Sequence, residues 1–234
     1  MRNEVLIIMP VKDSLETAEQ AIRAIVESGY VLTVYNDYSS PENTERLHLL
    51  SQETGIEVID IANLTDHPSP NYRYVLLDSR RKAIEAEVPL IIVESDVVVT
   101  KDTIQKLLDA QQEGVGMIAA VTHNEAGEIN FPYEYAQKWT IGAIETKKRF
   151  SFCCTLLTPT LLRAMDWETL LDPNKNWYDV TISHESSRLG FRNILLTNTP
   201  VVHKPHSSRP WKQLKYTHPL LYYWRKLTQH KDKI

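Results

Sequence analysis

The chemistry in this chain starts from "LIIVESDVVVT", residues 90–100, where Glu94 and Asp96 interrupt an apolar run. A carboxylate taken out of water costs free energy unless a cation or a set of hydrogen bonds compensates it. In extended backbone, residues two apart point the same way, so these two acids share one side of the chain. A divalent cation that prefers hard oxygen donors, Mg²⁺ or Mn²⁺, would relieve their repulsion and could bridge to a diphosphate. The plainer alternative is a solvated strand end whose acids serve the following turn.

Two further polar clusters accompany the first. "MPVKD" (9–13) follows one apolar run and "YNDYSSP" (35–41) follows another. The chain contains neither G-x-x-x-x-G-K-[ST] nor G-x-G-x-x-G, so phosphates are not held in the usual glycine loops. A cation held by carboxylates is the remaining device for a nucleotide ligand.

The elements that must position these groups follow from periodicity. Val5 to Ile8 reads as a buried strand, and 13–29 as a helix with Leu15, Ala18, Ile22, Ile25 and Val26 on one face. Asp13 with Glu16 forms a candidate capping box, and Gly29 a stop. Residues 31–35 read as a second strand. Residues 40–55 read as a helix with Ser40 as N-cap, Pro41 in the first turn and Gly55 at the end. Strands over 56–60, 90–93 and 116–121 follow, with helices over 72–87 and from Thr100 onward. Strands alternating with helices imply crossover connections and parallel pairing, with a ligand site at the carboxyl ends of the strands. All three polar clusters fall there. Residues 122–150 are polar and aromatic and read as a binding loop. Later strands are expected in "RFSFCCTLLTP" and "ILLTNTPVVH", with a helix between them closed by Gly190.

Composition bounds the class. The chain has 234 residues, 42% hydrophobic and 24% charged, which suits a packed α/β domain. No apolar run is long enough to span a membrane, and the first one is too short for a signal peptide, so the expected setting is cytoplasmic. Cys153 and Cys154 are adjacent, without C-x-x-C or zinc spacing, and read as two small core residues. Net charge is −4, yet residues 203–234 hold eight Lys/Arg against Asp232 alone. Such a tail meets something anionic. No nucleic-acid motif accompanies it, so nucleic acid is not the expected partner. Tyr216, Leu220, Tyr223, Trp224 and Leu227 form a rough helical stripe, which reads either as a helix docked on the core or as a peripheral membrane contact. Pro219 interrupts any helix through the middle of the tail, which favours docking.

Taken together, "VLIIMPVKDSLETAEQAIRAIVESGYVLTVYNDYSSPENTERL", "IIVESD" and "WYDVTISHESSRLGFRNILLTNTPVVHK" resemble family-2 glycosyltransferases, and the resemblance runs from about residue 3 to 205. It implies an α/β fold of GT-A type: a mostly parallel, Rossmann-like central sheet flanked by helices, with a C-terminal acceptor-side extension. It divides a single 1–234 domain into a nucleotide-sugar half (1–121), an acceptor and catalytic half (122–205) and a basic aromatic tail (206–234). It implies transfer of a sugar from a nucleoside diphosphate sugar, UDP in first place, to an acceptor hydroxyl with inversion, using Mn²⁺ or Mg²⁺. The acceptor would be a glycan, a lipid-linked group or a protein. Carried over by position, Pro10 and Val11 pack on the base, Asp37 accepts from it, and Ser39 supports the turn. Asp96 binds the metal, Glu94 lies near the ribose or a metal-bound water, His203 is the second metal ligand, and Asp179 is the general base.

The chain departs from the family at several of these positions. Asn36 replaces the first Asp of the nucleotide motif, Glu94 the first Asp of the metal motif, and Tyr178 the Glu before the base. Asp78-Ser79 stands where Arg-Asn is expected, followed by Arg80, Arg81 and Lys82, which meet the diphosphate or simply form a solvated helix face. Arg209 and Lys212 clamp the diphosphate or are solvated. The Gln-x-x-Arg-Trp of processive members is only echoed by "SRPW", so one sugar per encounter is expected. Without the resemblance, Asp179 reads as a helix N-cap and His203 as an ordinary strand-end histidine. Two rival functions stay open: a non-catalytic nucleotide-sugar or glycan-binding module, and a nucleotidyltransferase-like enzyme.

Overall fold

The computed structural model describes residues 4–174, 177–204 and 218–228. Four strands form its first half: β1 (Leu6–Val11), β2 (Thr33–Asn36), β3 (Glu57–Asp60) and β4 (Leu90–Val93). They pair in parallel in the order β3-β2-β1-β4. Helices α1 (Leu15–Glu27), α2 (Pro41–Thr54) and α3 (Tyr72–Glu85) make the crossovers. The alternation of the sequence therefore produces the parallel half it predicts.

Beyond β4 the elements are β5 (Val97–Val98), α4 (Thr103–Asp109), β6 (Val115–His123), β7 (Ala143–Glu145), β8 (Cys154–Leu157), α5 (Pro159–Ala164), α6 (Trp167–Leu170), α7 (Tyr178–Arg188) and β9 (Arg192–His203). β8 inserts antiparallel between β4 and β6. β9 lies parallel to β6, and the short strands β5 and β7 run antiparallel to β9. One sheet thus runs β3-β2-β1-β4-β8-β6-β9-β5, with β7 on β9. It is parallel in its first half and mixed in its second. The antiparallel insertion was not readable from the alternation, because β8 arrives from a long loop rather than from a crossover helix.

Side chains alternate between the two sheet faces, as the period of a strand requires. Ile7, Met9, Ile91 and Val93 pack with Ala18, Ile22 and Ile25 of α1. Ile8, Leu90 and Ile92 pack with Val75 and Leu76 of α3 and with Trp167. Both faces are apolar, which is why these strands read as continuous hydrophobic runs.

The caps partly follow the sequence. Ser40 caps α2 by accepting from the Asn43 amide, and Gly55 closes it in the left-handed region at φ 75°. α1 differs: its N-cap is Ser14, without a side-chain bond. Asp13 instead takes a positive φ of 51° and accepts from the Ser40 amide at 2.6 Å and from Asn43 Nδ2 at 3.2 Å. It serves the start of the neighbouring helix rather than its own.

In the tail, α8 (Pro219–Thr228) begins at Pro219 instead of being broken by it, since the first turn needs no proline N–H. Of the expected stripe, Leu220 is 88% exposed and Trp224 66%, while Leu227 and Tyr223 are also exposed. Tyr222 is buried. The expected docking of the stripe on the core is therefore not what the described residues show. Arg209, Lys212, "SRPW" and Tyr216 of the expected stripe lie outside the described residues. No helix among the described residues is long and apolar enough to cross a membrane.

Candidate metal and transfer site

The segment from Glu94 to Asp96 sits between two antiparallel ladders. On one side, Val93 pairs with Cys154, and the next step of the ladder sets the Glu94 amide on the Cys153 carbonyl at 3.1 Å. On the other side, Val97 pairs with His203, and the Lys204 amide donates to the Asp96 carbonyl at 2.8 Å. Backbone register thus brings Cys153 opposite Glu94 and His203 beside Asp96. Between the ladders the backbone is not extended as the sequence suggested: Glu94 to Val97 form a tight turn closed by the Val97 amide on the Glu94 carbonyl at 3.1 Å, and the Ser95 hydroxyl meets that of Ser14 at 3.1 Å.

His203 Nε2 lies 3.6 Å from Asp96 Oδ2, and both side chains are buried. The ring is held from behind: His203 Nδ1 is 2.7 Å from the Phe131 carbonyl, which makes Nδ1 the donor. A proton fixed there leaves the Nε2 lone pair facing Asp96, the arrangement that orients a metal-binding imidazole. Asn130 Nδ2 also donates to the His203 carbonyl at 3.1 Å. Part of the 122–150 segment, expected to be a binding loop, is thus a clamp on this histidine.

Glu94 Oε2 accepts from Cys153 Sγ at 3.2 Å. Ligand atoms of Glu94, Cys153 and His203 all lie within 4.8 Å of one another. Burial, reinforced by the charges of Asp96 and Asp179, pushes the Glu94 carboxyl up to about 7. Burial also raises Asp179. His203 is pulled down by burial, but its contact with Asp96 outweighs this and raises it overall. Two carboxylates and an imidazole are thus crowded where little water screens them, which is the electrostatic signature of a cation site.

Asp179 stands in the first turn of α7, one residue past its start, with Trp177 as N-cap. It is not the helix cap; its Oδ1 accepts from the Val180 amide at 2.8 Å. α7 is fixed by Ser183, which accepts from the Phe150 amide at 2.9 Å, and by Ser186, which donates to Asn193 Oδ1 at 2.7 Å. A Cβ on Gly116 would come within 2.5 Å of the Ser186 hydroxyl, so glycine lets α7 approach β6 this closely. The Tyr72 hydroxyl is buried, lies within the electrostatic reach of Glu94, Asp179 and Cys153, and has no hydrogen-bond partner among the described residues.

The predicted nucleotide groups cluster at the ends of β1 and β2. The Val11 carbonyl accepts from the Asp37 amide at 2.8 Å, and Ser39 Oγ accepts from the Asp13 amide at 3.1 Å, tying the two loops together. Pro10 is half-buried on β1. The Asp37 carboxylate is occupied: it accepts from Ser69 Oγ at 2.8 Å, the Asn71 amide at 2.9 Å and Asn71 Nδ2 at 2.8 Å. Asn36 donates to Asp60 Oδ1 and Thr44 Oγ1 and so braces β2 on β3. Arg80 donates to the Leu162 carbonyl, Arg81 pairs with Asp78 and Glu85, and Lys82 pairs with Asp78. These three cations lie two turns or more along α3 from Tyr72, roughly 12 Å at the helical rise, and serve the helix and its neighbours.

Comparison with known proteins then addresses the fold. No family model matches the chain, and no curated protein matches it. Solved structures do. A mannosyltransferase, PcManGT of Pyrobaculum calidifontis in complex with GDP-Man and Mn²⁺, superposes at a TM-score of 0.66 with 14% identity, over 97% of this chain and 65% of that one. S. aureus TarS in complex with UDP gives 0.65 with 12% identity, over 96% and 66%. GalNAc-T7 with UDP, GalNAc and Mn²⁺ gives 0.60 with 9% identity, over 87% and 44%. The chain has the GT-A glycosyltransferase fold. It spans just under two thirds of the length of the mannosyltransferase and of the TarS chain.

Of the residues the sequence pointed to, Asp96, His203 and Glu94 come together, and Asp179 is near enough for its charge to act on Glu94. Cys153 and Tyr72 were not singled out. Cys153 was expected as a small core residue and is one; in addition its Sγ donates to Glu94 Oε2. Only the β4–β8 register reveals this, and that pairing joins segments whose partnership no local pattern encodes. Tyr72 opens α3, where an aromatic residue reads as packing.

Proposed function

We propose that the chain is a metal-dependent, inverting glycosyltransferase that moves one sugar from a nucleoside diphosphate sugar, UDP in first place, to an acceptor hydroxyl. The observation that carries this reading is the approach of His203 Nε2 to Asp96 Oδ2 at 3.6 Å, beside Glu94 and near the half-buried Asp179. The donor set fits the cation: carboxylate oxygens and one imidazole suit Mn²⁺ or Mg²⁺, and the Phe131 carbonyl already fixes the histidine tautomer that such binding needs. Asp96 and His203 would hold the ion, with Glu94 beside them. When bound, the ion supplies charge to the departing diphosphate.

The remaining work belongs to the chain. Asp179, raised by burial, is a stronger base than an exposed aspartate and takes the proton of the acceptor hydroxyl. A single displacement with inversion requires such a base. The loops tied by Ser39 and Asp13 shape the base pocket, with Pro10 and Val11 beneath it. Asp37 holds the 67–71 loop through three hydrogen bonds and so acts on the nucleotide mainly through that loop. Free, buried cysteines suit a reducing compartment such as the cytoplasm. The exposed apolar side chains and basic residues of α8 and its flanks suit contact with an anionic membrane surface, where a lipid-linked acceptor would be found.

The test is release of nucleoside diphosphate from UDP-, GDP- and dTDP-sugars with Mn²⁺ present. Release that depends on Mn²⁺ and is lost in Asp179→Asn supports the reading. No release from any donor, with donor binding retained, turns the protein into a binding module. Release of pyrophosphate from a nucleoside triphosphate would make it a nucleotidyltransferase.

A further inference from the structure

The groups around Glu94 include one whose chemistry the transfer reaction does not use. Cys153 is fully buried, yet its Sγ lies 3.2 Å from Glu94 Oε2, and with His203 it completes three donor atoms within 4.8 Å. The juxtaposition is built into the backbone, since the Glu94 amide bonds to the Cys153 carbonyl. Ser151 Oγ stands 3.4 Å from the sulfur on another side. A second feature lies nearby: the Tyr72 hydroxyl is buried, has no hydrogen-bond partner among the described residues and feels the charges of Glu94 and Cys153, while its ring meets that of Phe152 next to Cys153. Cys153 belongs to the apolar core on one face of the sheet, yet its thiol also lies within reach of a carboxylate and an imidazole.

We propose that Cys153, Glu94 and His203 form a mixed sulfur–oxygen–nitrogen site for a thiophilic divalent cation, Zn²⁺ in the first instance, which overlaps the Asp96–His203 site and excludes Mn²⁺ from it. The inference rests on the reading that His203 binds a metal. A hard ion such as Mn²⁺ gains little from sulfur, whereas Zn²⁺ and Co²⁺ favour thiolate with imidazole and carboxylate in a tetrahedral set. Binding replaces the Sγ proton by the cation, and the proton leaves to water. Because both ions need His203, Zn²⁺ acts as a competitor of Mn²⁺ rather than as a substitute.

The experiment uses Co²⁺ as the optical stand-in for Zn²⁺ on the full chain, with Mn²⁺ binding followed in parallel by electron paramagnetic resonance. The wild type is expected to show a thiolate-to-cobalt charge-transfer band that Zn²⁺ abolishes. Cys154→Ser keeps the band; Cys153→Ser loses it, and its Zn²⁺ affinity falls by about tenfold or more while Mn²⁺ still binds. Cadmium NMR of the wild type reports a sulfur ligand without any substitution, which covers the case that Cys153→Ser folds poorly. Mn²⁺ binding with no thiolate band, or a band that survives in Cys153→Ser, overturns this inference and leaves the metal reading intact. Absence of binding by both ions overturns the two together.

Discussion

Asp96 and His203, 107 positions apart in the chain, meet because Val97 pairs with His203 across β5 and β9 and the Lys204 amide bonds to the Asp96 carbonyl. The pair is therefore set by sheet register and not by flexible loops. Substituting either partner should weaken Mn²⁺ binding by at least about tenfold, and the double variant Asp96→Asn/His203→Ala should lose less than the sum of the two, since both act on one ion. Isothermal titration of Mn²⁺ checks this; additive losses would mean two separate sites.

The metal-free protein should lose stability as pH rises through the range in which Glu94 ionises. Its folded-state carboxyl is raised from 4.5 to about 7. The stability such a group contributes is full below its unfolded value and is lost as pH climbs through the folded one. Asp179 and His203 are also raised and act with the same sign. Asp13 and Asp78, held low by hydrogen bonds, lose their contributions only in more acidic solution. Urea denaturation with a chelator should therefore show a fall on the order of 2 kcal/mol between about pH 5 and about pH 7.5. Glu94→Gln should flatten it. A saturating metal, which binds the ionised form, should reverse the trend.

The first half of the fold was readable because local signals agree there. Apolar runs, Ser40, Pro41 and Gly55 each fix an element, and parallel crossovers follow from their order. Glu94 and Asp96 stood out because a charge within an apolar run demands compensation, although the two acids lie in the turn after β4 rather than in a strand. What escaped was pairing between distant segments. β8 between β4 and β6 is set by long-range packing, and with it the approach of Cys153 to Glu94. The capping role of Asp13 escaped for a similar reason: its partners Ser40 and Asn43 belong to another helix. For Asp37 the residue type was informative, but its role is shared with a loop that only the structure brings near.

Asp37 should prove to be a stability residue as well as a nucleotide-site residue. Its carboxylate accepts three hydrogen bonds from Ser69 and Asn71, two of them from groups buried with it. Asp37→Ala leaves those donors unpaired, at a cost of roughly 2–4 kcal/mol. Chemical denaturation measures the loss. An unchanged midpoint would restrict Asp37 to contact with the nucleotide.

Helix α8 should bind anionic membranes. Leu220, Leu221, Tyr223, Trp224 and Leu227 are exposed on ten residues of helix, and the surrounding tail is strongly basic. The protein should sediment with vesicles containing anionic lipid, less well with neutral vesicles, and less well at high salt. Trp224→Ala should weaken the association by roughly tenfold, the equivalent of one buried apolar side chain. Equal recovery in the supernatant with all vesicles would leave the helix without this role.

Asp179→Asn separates chemistry from folding. The half-buried carboxyl is raised by desolvation, so its charge is a cost to the folded state, and the isosteric amide should leave stability unchanged or slightly higher. Its bond from the Val180 amide can pass to the amide oxygen of Asn, so the start of α7 should hold. Base catalysis cannot survive, because an amide takes no proton at neutral pH. The turnover number for transfer should fall by roughly 10²–10⁴, with the KM for the donor little changed, since the proposed role sets Asp179 against the acceptor hydroxyl and not the nucleotide. Steady-state kinetics on one donor, with a melting curve on the same preparation, gives both readouts. A loss of activity that tracks a loss of melting temperature would make Asp179 a structural residue of α7. A donor KM that rises with unchanged turnover would move it from the acceptor side to the nucleotide side.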